Sequence, residues 1–181
     1  MKYMTVNELQ NFNYHDAQLK AMDWRGRDFV WLSDRINAST ENSQNSYPTD
    51  MCIDSAEIVF KDACIESIVF SGYKTYGAGG ALLKSVEAET AAPHEYDNIL
   101  KKTLAPSNFI YCMEEKSYVK VKDDRFSASF NIGGGDFVGM GYVITISFSE
   151  AIVSWDKFSG ETWYESAEWK EHVAKMRAQP V

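Results

Sequence analysis

The chain is short of the residues that build covalent or metal-held frameworks. Its three cysteines, Cys52, Cys64 and Cys112, are an odd number with no CxxC pair, which argues against a disulfide framework and a zinc knuckle. Its three histidines, His15, His94 and His172, show neither HxH nor HxxxH spacing. A metal site needs three or four convergent ligands, so neither a metal nor a cofactor is expected. No apolar run reaches the ~18 residues a membrane span requires. The opening stretch Met1-Lys2-Tyr3-Met4-Thr5-Val6-Asn7-Glu8 has no apolar core of a secretory signal, so a cytoplasmic, reducing setting is expected. No Gly-x-Ser-x-Gly elbow occurs, which leaves an α/β-hydrolase nucleophile unsupported.

Apolar and aromatic residues, by contrast, are plentiful. They make up 45% and 14% of the 181 residues, enough for one domain over 1–181 with a real core and no staple. The net charge of −8 is uneven. Residues 41–100 hold ten acids and three bases, against a balanced 1–40 and a nearly balanced 101–181. Without a basic surface to release counterions, nucleic-acid binding is disfavoured. An acidic middle suits a basic partner protein, or is simply a solvated face.

The patterning is mostly that of strands. Thr5-Val6-Asn7-Glu8 has the form of a capping box and predicts a short N-terminal helix with Val6, Leu9 and Phe12 on one face. Period-two runs from Ala17 to Trp24 and from Phe29 to Leu32, joined at Arg25-Gly26-Arg27-Asp28, predict a hairpin over 15–36. The polar stretch 37–50 reads as a loop. Residues 52–60 predict one strand with Cys52, Asp54, Ala56, Ile58 and Phe60 on a single face, followed by a second hairpin through Lys61-Asp62-Ala63 into Cys64–Phe70. Residues 81–91 fit helix or strand. Pro93 and the spacing of Tyr96, Ile99, Leu100 and Thr103/Leu104 predict a middle helix ending before Pro106. Strands follow at 118–121, 126–132, 142–148 and 151–155. Ser166 then opens a C-terminal helix whose Trp169, Val173 and Met176 stripe predicts a core face. The fold class expected is α+β, a predominantly antiparallel sheet, twisted or curled, with three helices.

Few residues suggest chemistry. Tyr14-His15-Asp16-Ala17 is the nearest to a motif. If it lies in a strand, His15 and Asp16 point to opposite faces and cannot share a substrate without partners such as His94 or Asp54. Either residue could instead satisfy main-chain groups at a junction. The loop Gly77-Ala78-Gly79-Gly80, with Lys84-Ser85 beyond it, fails as a phosphate loop because Leu83 precedes the lysine. Gly133-Gly134-Gly135-Asp136, with Gly139 and Gly141, reads as a wide turn and a strand approached closely by other backbone. The cysteines, beside apolar runs, read as buried and inert.

From Tyr14 to about Phe70 the layout resembles small bacterial domains of unknown function that open with an aromatic-His-Asp-Ala/Ser tetrapeptide leading into a pair of strands. The residues carrying the likeness are Tyr14-His15-Asp16-Ala17, Leu19, Trp24, the 29–32 strand and Asp54–Phe60. The insertion at 37–50 and the glycine loop at 77–80 depart from it. The resemblance implies an immunity-like or accessory protein rather than an enzyme. The expected function is therefore non-catalytic protein binding, with Asp54, Glu57, Asp62 and Glu66 as the acidic contact surface. The alternative is a small hydrolase or small-ligand-binding protein using His15 and Asp16.

Overall fold

The computed structural model describes residues 1–104, 118–121, 124–133 and 141–176, and the main chain alone at 109–113 and 177–178. In chain order its strands are β1 (Tyr3–Val6), β2 (Phe12–Asn13), β3 (Gln18–Arg25), β4 (Asp28–Asp34), β5 (Asn37–Ala38), β6 (Met51–Ile53), β7 (Ser55–Lys61), β8 (Cys64–Phe70) and β9 (Tyr73–Tyr76). There follow β10 (Leu82–Val86), β11 (Glu89–Thr90), β12 (Phe109–Met113), β13 (Val119–Lys120), β14 (Phe126–Gly133), β15 (Tyr142–Phe148), β16 (Glu150–Trp155) and β17 (Phe158–Glu161). Among the described residues there are two α-helices, α1 (Tyr96–Thr103) and α2 (Ala167–Ala178).

The pairings are antiparallel and the sheets open, neither curled nor closed. One sheet runs β1-β16-β7-β4-β3, and a second runs β11-β8-β15-β14-β12 with β13 also on β14. Their apolar faces meet in a core where Trp31 of β4 packs edge-on against Phe130 of β14 at 4.8 Å and Phe60 of β7 lies 5.1 Å from Phe148 of β15. A four-stranded sheet, β17-β6-β5-β2, extends from one end, and β9-β10 form a separate hairpin.

The hairpin predicted over 15–36 is β3-β4. A bulge between Leu19 and Ala21 shifts the inward phase, so Leu19 and Met22 are buried where simple alternation pointed to Ala21. The second predicted hairpin does not form. β7 and β8 lie in different sheets, and so do β15 and β16. Each pair bends over the edge of the core, because strands that are apolar on one face bury more surface by facing each other than by lying side by side. Asp62 turns the first corner at φ 48. The strand expected over 52–60 breaks at exposed Asp54. Met51 and Ile53 are buried before the break, and Ala56, Ile58 and Phe60 after it.

Residues 3–13 hold no α-helix. Tyr3–Val6 is an edge strand on β16, stacked through Tyr3 on Trp155, and only a 3-10 turn at Leu9–Asn11 follows. Long-range pairing outweighs the local capping signal: Glu8 accepts from the Ser43 main-chain N–H at 3.0 Å rather than reaching back to Thr5. Residues 82–86 and 89–90 are strands, and the middle helix stands as α1. The stripe of α2 is no core face. Met176 is 50% exposed, and Trp169 and Val173 are half-buried. Cys52 is half-buried and Cys64 exposed rather than buried, and the side chain of Cys112 lies outside the described residues. The glycine-rich turn expected at 133–139 lies largely outside the described residues. Gly141 meets its expectation of close backbone approach, since a Cβ there would collide with the Ile132 carbonyl.

Candidate functional site

Tyr14, His15, Asp16 and Ala17 form a tight turn, not a strand, closed by the Ala17 N–H donating to the Tyr14 carbonyl at 3.0 Å. Its outer residues are anchors. Tyr14 is buried with its ring edge-on to Phe130 at 5.5 Å, its hydroxyl donating to the Leu9 carbonyl at 3.3 Å, and Ala17 is fully buried. Burial pushes the Tyr14 phenol far above its ordinary range. The central residues project on the other side. The expectation of opposed side chains therefore fails: His15 and Asp16 together line one cavity of about 670 Å³.

The floor of that cavity is the four-stranded sheet. Asn37 of β5 faces Cys52 of β6, which faces Gly160 of β17, so the three positions form one row on one face of the sheet. Alternate residues Phe12, Ala38 and Met51 are buried towards the core. Ser159, Glu161, Thr162 and Trp163, together with Arg35 from the connection between β4 and β5, complete the lining. Asn13 Oδ1 accepts from the His15 main-chain N–H at 2.8 Å and fixes the turn from beneath. Across the mouth, the Trp163 indole N–H donates to Asp16 Oδ2, and the ring is 48% exposed.

Among the described residues, solvent-exposed Arg35 on the lining forms no ion pair and the buried Thr162 hydroxyl forms no hydrogen bond. Arg25 pairs with Glu57, Arg27 and Arg125 both pair with Asp62, yet Arg35 holds no carboxylate among the described residues. Its backbone sits at φ 61. The other non-glycine residues at positive φ are Asn7, Asp62 and Asp124, types that tolerate it. Thr162 is 1% exposed, and its hydroxyl makes no hydrogen bond of acceptable geometry although the Tyr164 hydroxyl is close by. Tyr164 donates instead to Asp50 Oδ2 at 3.0 Å, and burial first, then Asp50, push its phenol up to about 12. Asn37 is 3% exposed and lines the cavity.

The other nominated residues lie elsewhere. Neither His94 nor Asp54 lines the cavity. Asp54 pairs with Lys157 at 3.1 Å, Glu57 with Arg25 at 2.8 Å, and Asp62 with Arg27 and Arg125, while Glu66 accepts from the Ser127 hydroxyl at 3.3 Å. Among the described residues no three His, Cys, Asp or Glu side chains converge as metal ligands, and no helix is long and apolar enough to cross a membrane. Sequence reasoning found His15 and Asp16 but missed Arg35, Asn37, Cys52 and the 159–163 wall. Strand register and a sheet change bring those together, and neither leaves a local signature. The polar-aromatic run Gly160-Glu161-Thr162-Trp163 after a strand was the one local hint. No family model, curated protein or solved structure matches the chain.

Proposed function

We propose that the chain is a non-catalytic binding domain whose ligand is a small polar molecule held in the cavity beneath His15, Asp16 and Trp163. The observation that carries this reading is the turn that puts both residues on the lining of one cavity together with Arg35, which has no ion pair among the described residues and sits at φ 61. A volume of about 670 Å³ falls within the range of small-molecule sites. Binding is favoured over hydrolysis because Asp16 accepts from the Trp163 indole and not from the imidazole, so the two form no general-base pair. A small-molecule extract of the host cells should raise the melting temperature of the wild type in proportion to its concentration. The double variant His15→Ala/Asp16→Ala should not respond. An extract and a metabolite panel that leave the wild type unmoved would refute the reading.

A second reading keeps an immunity-like protein that binds a basic partner in the cytoplasm. It is favoured by the β9-β10 hairpin, where Tyr76, Leu82 and Leu83 are 58%, 54% and 71% exposed within the acidic segment. The pairing of Asp54, Glu57 and Asp62 with cations weakens it, since little of that charge is free. Its test is a partner that co-purifies at low salt and dissociates as salt is added.

A further inference from the structure

We infer that the ligand of this cavity is an acidic sugar, a saccharide carrying a carboxylate, an inference that rests on the binding reading above. Each part of the lining answers one part of such a molecule. The half-exposed face of Trp163, its plane fixed by the indole bond to Asp16, offers a flat apolar surface to the C–H face of a pyranose ring. Asp16 and Glu161 can accept from ring hydroxyls, and Asn37 can both donate and accept. A neutral sugar would account for all of these.

Arg35 is what a neutral sugar leaves unexplained. In a chain of net charge −8, where Arg25, Arg27 and Arg125 each have a carboxylate, the exposed Arg35 on the cavity lining has none among the described residues. It also occupies a conformation that favours glycine or asparagine. A guanidinium kept free in this way fits a planar carboxylate that arrives with the ligand and is bound in two-pronged fashion. Two carboxylates on the same lining disfavour a multiply charged anion such as a phosphate ester, which they would repel. The volume accommodates two sugar rings better than a lone hydroxy acid.

Cys52, half-buried in the floor, reports on occupancy, and exposed Cys64 serves as an internal reference. The experiment follows N-ethylmaleimide labelling of Cys52 and Cys64, each read on its own peptide by mass spectrometry, with digalacturonate, cellobiose or acetate present. Digalacturonate should slow labelling of Cys52 but not Cys64, with apparent affinity about tenfold or more above that of cellobiose, as expected for one charged hydrogen-bonded pair. Acetate should give no protection. Arg35→Gly, which suits the backbone at that position, should abolish the preference for the acidic sugar and leave weak cellobiose protection intact. Trp163→Ala should weaken both sugars together. Equal protection by the two disaccharides, protection by acetate alone, or none by digalacturonate would overturn the acidic-sugar inference. The cavity reading fails separately, only if the host-cell extract and metabolite panel also leave the melting temperature unchanged.

Discussion

Arg35 shows how a single residue can work against the stability of its own fold. A non-glycine side chain at φ 61 costs about 1–3 kcal/mol, and glycine there gives back roughly 0.4–1 kcal/mol through the freer unfolded chain. Arg35→Gly should therefore be as stable as wild type or more stable, by up to about 2.5 kcal/mol in chemical denaturation, while losing ligand. A clear drop in midpoint would mean that the guanidinium supports the fold instead. Gly141 is the opposite case. At φ 84, with the Ile132 carbonyl in the way of any Cβ, Gly141→Ala should cost about 2 kcal/mol or more by chemical denaturation.

At the scale of elements, the packing of α2 makes a firm expectation. The helix meets the preceding segment through Trp169, edge-on to Trp163 at 4.8 Å, and through Lys170, paired with Glu165 at 2.7 Å, while Met176 at the far end of its stripe is exposed. Trp169→Ala should leave the melting temperature of the body nearly unchanged but expose α2 to protease and loosen Trp163 over the cavity. The near-ultraviolet circular dichroism of the tryptophans reads that loosening directly. The same element shows why some of the architecture was legible in the sequence and some was not. Trp169, Val173 and Met176 have helical spacing, which identified the helix correctly. Spacing carries no information on whether another element covers that face. β7 and β8 teach the same lesson, since their periodicity and short connection are those of a hairpin. The bend over the core edge depends on β4 and β16 claiming the flanks of β7, and on β15 and β11 claiming those of β8. For the site, His15 and Asp16 stood out as neighbours, but their common orientation needed a turn that local patterning did not announce.

In the whole molecule, the aromatic core and one corner cluster divide the work. Phe130 touches Tyr14, Trp31 and Phe60 at 5.5, 4.8 and 5.8 Å, joining both large sheets to the cavity turn. Phe130→Ala should cost about 3–5 kcal/mol and disturb His15 through Tyr14, visible as a shifted His15 ring resonance. At the corner, the Lys61 ammonium and the Asp62 main-chain N–H hold the Asp28 carboxyl below its ordinary value. A lowered folded value means stability that is present above the unfolded value near 4 and lost as pH falls through the folded one. Stability measured from pH 7 downward should thus begin to fall near pH 4, and Asp28→Asn should flatten that fall. β1 adds a constraint of timing. Tyr3 is paired with Trp155, so β1 cannot find its place until a ribosome has also presented β16. Until then, the residues of β1 wait beside an unfinished sheet, and the last strand to be synthesised in that sheet, β16, is the one that admits them.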